Sequence, residues 1–147
     1  MATAAALRPS VPKQLPPPNS DFYQFAETLS ADEQAILKRV RAFMDTEVAP
    51  IIDKYWVDDA FPLELLPAFK ELNNGGLGIQ GHGCVGGSEL LVGLVGVEMA
   101  RVDVSIATFF GVHNHLAMGS IAVAGSEDQK QKWLPPMARM EDRKSVV

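Results

Sequence analysis

The sequence predicts an all-α fold, a helical bundle of about five to six helices. Apolar residues recur at intervals of three and four along most of the chain from Leu29 onward, and capping residues stand at the starts of these runs. No segment of convincing length alternates with a strand period before the final Ser145, Val146 and Val147. With 147 residues, 47% of them hydrophobic, the chain suits one domain around one core, and it carries no internal repeat.

Residues 1–20, "MATAAALRPSVPKQLPPPNS", hold five prolines, and Arg8 and Lys13 are their only charges. They read as a disordered, partly polyproline lead to a domain covering 21–147. The first helix lies in "LSADEQAILKRVRAFMDTEVAPII", where Ile36, Val40, Phe43, Glu47 and Val48 follow helical spacing. Ser30 with Glu33 three residues later is a capping-box pattern, and Pro50 ends or bends the helix. After the turn "DDAFP", the segment "LELLPAFKELNNGG" predicts a second, short helix with Leu65, Leu66, Phe69 and Leu72 on one side.

"GGLGIQGHGCVGGS" has seven glycines in fourteen residues and reads as an irregular loop. It lacks GxxxxGK[ST], and "GLGIQG" matches GxGxxG only by spelling, because helix rather than strand precedes it. Ser88 and Glu89 open a third helix, "SELLVGLVGVEMARV", whose Gly93 and Gly96 suit close helix packing. Asp103 can cap a fourth helix ending at Gly125, and Ser126 a fifth, "SEDQKQKWL", with acids in its first turn and lysines in its last. Pro135, Pro136 and a short "MARMEDRK" then follow.

A net charge of −5 and an isoelectric point near 5.1 argue against a nucleic-acid surface. Cys84 is the only cysteine, so an internal disulfide and a cysteine-built metal cage are both excluded. The apolar run near 104–125 is broken by His113, Asn114 and His115 and reads as a buried core helix rather than a membrane span. On a helix His113 and His115 point about 200° apart, which makes a shared metal ion a poor fit and leaves both as structural residues. Thr108 or Phe109, Val112 and Leu116 form one stripe, and periodicity alone does not separate core packing from a ligand wall.

The order "LSADEQAILKRVRAFMDTEVAPI", then "EMARVDVS", a "VH" with Leu three residues on, and "GSEDQKQKWLP" resembles the N-terminal helical domain of the acyl-CoA dehydrogenase and acyl-CoA oxidase superfamily over residues 28–140. "SDFYQF", "DEQAI" and "EVAPI" followed by "YW" are most similar to plant peroxisomal short-chain acyl-CoA oxidases and carry the likeness back to Asn19. The resemblance implies FAD-dependent oxidation of an acyl-CoA to its trans-2-enoyl form, in which a carboxylate takes the alpha proton and the flavin takes hydride. The flavin is then reoxidised by an electron-transfer flavoprotein or by oxygen. It further implies fatty acid beta-oxidation in a peroxisome, by a homo-oligomer in the full-length enzyme.

By the same resemblance Thr108, Phe109, Val112 and Leu116 become the acyl-tail wall, with the bulk of Phe109 shortening the pocket. Ala107 stands where the glutaryl-CoA member carries its carboxylate-binding arginine, which disfavours a dicarboxyl substrate. The family's middle beta domain, its C-terminal helical domain and the glutamate base have no counterpart in these residues, and Glu47, Glu64, Glu89 and Glu98 read as helix-surface or cap residues. The expectation is therefore a fragment that is inactive alone, binds no FAD alone, and exposes faces that favour oligomerisation or poor solubility. The alternative is a non-catalytic helical module binding full-length homologues or acyl-CoA.

Overall fold

The computed structural model describes residues 21–141. The expectations for residues 1–20 and 142–147 lie outside the described residues. Helices α1 (Ala31–Phe43), α2 (Ile52–Val57), α3 (Leu66–Leu72), α4 (Glu89–Val102), α5 (Val104–Gly111), α6 (Gly119–Ala124) and α7 (Glu127–Ala138) make the fold all-α. The single isolated bridge among the described residues, Leu77 to Gly86, lies within the glycine-rich loop. Helix α1 packs on α4, and α4 packs on α5.

The caps expected from sequence are formed. Ser30 and Glu33 make the reciprocal capping box of α1, Ser88 caps α4 through the Leu91 amide, and Ser126 and Gln129 make a second box at α7. Short 3₁₀ turns occupy Phe25–Thr28 and Leu63–Leu65.

The main core joins Val40, Phe43, Met44 and Val48 to Phe69, Leu91, Val95, Met99, Ile106 and Phe110. A smaller core of Met118, Leu134, Met137 and Ala138 seats α7. Each core is reached by a stretch of π-helix, at Met44–Val48 and Val112–Met118, which the sequence reading did not anticipate. The cause is a run of buried positions spaced by four: Val40, Met44 and Val48 in one case, and Ile106, Phe110, Asn114 and Met118 in the other. Each step of four rotates an α-helical position by roughly 40° past its predecessor. A wider i→i+5 turn brings the later residues back to the core.

Four expectations need correction. Helix α7 runs through Pro135 and Pro136 instead of stopping before them, so Lys130 and Lys132 are mid-helix rather than in its last turn. Leu134, Met137 and Ala138 are buried there, and this packing outweighs the two missing backbone donors. Gly93 and Gly96 do not mediate close packing among the described residues, since a Cβ at either would meet nothing within 4 Å. The buried face of α4 is the other one, carrying Leu91, Val95, Glu98 and Met99.

The apolar helix is only half buried. Val104–Ala124, through α5, the π turn and α6, has the length and composition to cross a membrane. Its inner face buries Ile106, Phe110, His113, Asn114 and Met118, while Val104, Val112, Leu116 and Val123 are exposed. Glu98 is the fourth correction. It is buried rather than on the helix surface, and it accepts from Arg41 Nε at 2.9 Å, Arg41 Nη2 at 2.5 Å and Arg101 Nε at 3.2 Å.

Glu33 links the starts of α1 and α4, because its Oε1 accepts from the Ser88 amide at 2.8 Å while Oε2 accepts from the Ser30 amide at 3.1 Å. Hydrogen bonds from Ser88, and then from Ser30, lower its pKa from 4.5 to about 2. A depressed acid stabilises the fold above its unfolded pKa and loses that contribution as pH falls through the folded one. The α1–α4 junction is therefore expected to loosen between about pH 4.5 and pH 2. Acid titration followed by exchange of the Ser88 amide checks this, and Glu33→Gln is expected to flatten the response in that window.

Candidate functional site

The candidate site is built on the Val104–Ala124 helix. A single extended residue, Asp103, separates it from α4. Asp103 Oδ1 accepts from the Ile106 amide at 2.8 Å, and Oδ2 accepts from Trp56 Nε1 at 2.7 Å. Both oxygens of this buried carboxylate are thereby used, and the start of the helix is pinned to α2. The sequence reading contained the cap and missed α2 together with its tryptophan.

Of the expected wall residues, Thr108, Val112 and Leu116 fall on one exposed line, with Leu116 66% and Val112 37% exposed. This face is not core packing among the described residues. Phe109 departs from it. Its ring is half-buried between Phe61 (centroids 5.2 Å apart) and Phe69 (5.6 Å), and Phe69 lies in turn at a tilt against Phe43 (4.8 Å). Ala107 also packs toward the core. The four wall candidates are thus divided between an exposed apolar line and an aromatic ladder beneath it.

His113 and His115 diverge, as the helical spacing requires: His113 is buried and His115 exposed. His113 Nε2 lies 2.9 Å from the Met137 carbonyl and ties the helix to α7. Among the described residues no group of three His, Cys, Asp or Glu side chains converges to hold a metal ion. Cys84 is half-buried, and burial raises its thiol pKa, away from the reactive thiolate.

Asn114, to which sequence assigned no role, is fully buried and joins the site's two sides. Its Oδ1 accepts from the amides of Gly76 (2.6 Å) and Leu77 (3.3 Å), while Nδ2 donates to the Phe110 carbonyl at 3.2 Å. The glycine-rich loop is thus fastened to the Val104–Ala124 helix. Between them opens a groove of about 370 Å³, lined by Ile79, Gln80, His82, His115, Val123 and Lys130 among others. His115 and Val123 place this groove alongside Leu116, at the far end of the exposed line.

Several of the loop's amides are turned inward. Beyond the two amides held by Asn114, Gly78 donates to Gly86, Ile79 to Gly76, Cys84 to Gly81, Val85 to Gly75 and Gly86 to Gly76. A phosphate cradle needs such donors turned outward. Of the carboxylates named from sequence, Glu98 is held by two guanidinium groups and Glu64 accepts from the Tyr55 hydroxyl, while Glu89 lines the groove.

The family model for the acyl-CoA dehydrogenase N-terminal domain matches residues 30–141, from the N-cap of α1 to the last described residue. This chain belongs to the acyl-CoA dehydrogenase family. Mitochondrial isobutyryl-CoA dehydrogenase of Dictyostelium discoideum is 29% identical over 114 residues, which cover 77% of this chain and 27% of that protein. Human mitochondrial short-chain specific acyl-CoA dehydrogenase is 31% identical over 121 residues, covering 78% and 28%. A glutaryl-CoA dehydrogenase from Mycobacterium smegmatis, solved in complex with FADH2, superposes with a TM-score of 0.71 at 34% identity, over 80% of this chain and 30% of that one. The chain therefore spans under a third of the length of these relatives, and the match includes the Val104–Ala124 helix, the glycine-rich loop and α7.

Proposed function

We propose that these residues form the acyl-tail wall of an FAD-dependent oxidoreductase that converts a short-chain acyl-CoA to its trans-2-enoyl-CoA in fatty acid beta-oxidation. The observation that carries the reading is the exposed line of Thr108, Val112 and Leu116 on a helix inside the family match. A hydrocarbon tail laid on it gains about 0.8 kcal/mol for each methylene removed from water. The small-acyl names of two relatives, isobutyryl-CoA and short-chain specific dehydrogenases, support a short tail. Likeness to plant peroxisomal short-chain oxidases is the ground for proposing oxygen as electron acceptor and the peroxisome as compartment.

The flavin and the base belong, on this reading, to parts of the enzyme other than residues 21–141, so no dehydrogenation step is assigned to the residues described. Their own task is to bind the tail and exclude water from it. A butyryl-CoA analogue with a photoreactive group at the tail end tests this on the purified chain, with the labelled peptide found by mass spectrometry. Labelling is expected within 108–116, and Val112→Asp with Leu116→Asp is expected to reduce it by roughly tenfold or more. Labelling elsewhere, or labelling indifferent to the two aspartates, overturns the wall. Stoichiometric FAD with turnover of butyryl-CoA by the chain alone would overturn the division of labour.

A second reading is a non-catalytic module that binds full-length homologues. The outer face of α4 favours it, since Leu90 and Val97 are exposed there beside Gly93. Co-elution with a full-length homologue would support that reading, and a clean monomer in the presence of that homologue would exclude it.

A further inference from the structure

Another pocket lies beside the start of the Val104–Ala124 helix, and three aromatic side chains border it. Tyr55 and Trp56, from α2, and Phe61, from the turn that follows, line a space of about 320 Å³, at the lower end of the range for small-molecule sites. Each ring is held by a contact of its own. The Tyr55 hydroxyl donates to Glu64, Trp56 Nε1 donates to Asp103 Oδ2 at 2.7 Å, and the Phe61 ring lies against Phe109 with centroids 5.2 Å apart. Rings already held in place lose little freedom when a ligand arrives.

The charge at this pocket is negative. Asp59 and Asp103 line it, and no lysine, arginine or histidine does. Asp103 is 3% exposed, and its carboxylate is met by the Trp56 and Ile106 N–H groups at the start of a helix and by no cation among the described residues. Asp59 is exposed and forms no ion pair there either. Around them Asp53, Asp58 and Glu64 outnumber Lys54, the one basic residue from Ile51 to Leu66. Lys54 Nζ lies 5.6 Å from the centroid of the Tyr55 ring without lining the pocket.

Aromatic rings and carboxylates around one space select a ligand class. The negative face of an aromatic ring attracts a cation, more strongly once that cation has shed its water. A bare ammonium keeps its water tightly, and no group of three metal-ligating side chains converges among the described residues. A methylated ammonium carries its charge under apolar methyl groups, so the same rings meet both its charge and its apolar surface. An anion is repelled by the two carboxylates, and a neutral ligand leaves their charge unused.

We propose that the pocket bordered by Tyr55, Trp56 and Phe61 binds a small methylated ammonium cation of the choline type, with the Asp59 and Asp103 carboxylates supplying the counter-charge. This site is independent of the acyl-CoA reading.

Titration of the full chain with choline chloride at constant ionic strength tests it, read from the NMR signals of the Trp56 indole N–H and the Phe61 amide. The expected result is a saturable shift of both signals with a Kd on the order of 1 mM. The neutral isostere, in which a tert-butyl group replaces the trimethylammonium group, is expected to bind at least about tenfold more weakly. Asp59→Asn keeps a side chain that accepts the left-handed backbone of this position (φ 48°) and is expected to weaken choline binding roughly threefold. Trp56→Leu, followed at the Phe61 amide, is expected to weaken it by about tenfold or more. Equal binding of choline and its neutral isostere, a response that does not saturate, or choline binding indifferent to Asp59→Asn overturns the proposal. If Trp56→Leu fails to fold, the isostere and Asp59→Asn decide.

Discussion

Glu98→Ala is expected to destabilise the chain by about 2–3 kcal/mol, through the guanidinium groups that the substitution strands. Glu98 is 5% exposed and bonds Arg41 through two nitrogens and Arg101 through a third; Arg101 also holds Asp45 at 2.6 Å. Removing one partner of a buried ion pair costs about 3–5 kcal/mol when the other charge stays buried. The Arg41 side chain is 47% exposed and can turn to water, which lowers the cost, whereas that of Arg101 is 21% exposed and keeps only Asp45 as a partner, with the Arg41 charge beside it.

Thermal unfolding is the check, with a fall in Tm of roughly 10 °C. Glu98→Gln keeps the shape and one acceptor and is expected to lose about half as much, near 1 kcal/mol. In a double-mutant cycle with Arg41→Met, the coupling is expected to exceed about 1 kcal/mol. A coupling near zero would mean that the network merely decorates the surface.

That misplacement shows what pattern reading reaches in this chain. Ser30 with Glu33, Ser88, Asp103 and Ser126 were legible as caps because capping is local: donor and acceptor lie within a few residues of each other. Glu98 was not legible, because its partner Arg41 is 57 positions away in the chain and only the packing of α1 on α4 brings them together. Trp56 and Asp103 are a second case, 47 positions apart.

The exposed line was half legible. Spacing placed Thr108, Val112 and Leu116 on one line, yet it also admitted Phe109, which Phe61 and Phe69 draw into the core from segments whose approach no periodicity reports. The π turns did leave a signal, in the repeated spacing of four at Val40, Met44 and Val48 and again from Ile106 to Met118. It escapes notice when a search template admits threes and fours equally, and in the second run one of the four buried residues is Asn114, a polar residue outside any apolar template.

Asn114→Ala is expected to have an effect at least as large, about 3–4 kcal/mol, with a sharply localised signature. The Asn114 side chain is fully buried, and the Gly76 and Leu77 amides that bond its Oδ1 are buried with it. Truncation strands both donors at about 1–3 kcal/mol each and adds a small cavity. Asn114→Leu separates the two contributions, since it fills the space and restores no acceptor. It is expected to be nearly as destabilising as Ala.

Asn114→Asp keeps an acceptor for both amides but turns a carboxylate oxygen toward the Phe110 carbonyl that now receives Nδ2–H, so its loss is expected to fall between wild type and Ala. Denaturant unfolding gives the totals, and hydrogen exchange gives the location. In Asn114→Ala the Gly76 and Leu77 amides are expected to exchange faster than the global loss of stability explains, because only they lose a partner directly. Exchange that rises uniformly across α1, α4 and the loop would show that Asn114 contributes bulk stability and no specific tether. The distinction bears on function: a tether fixes the loop side of the groove relative to Leu116, so its loss would let the groove widen while the exposed apolar line itself stays intact.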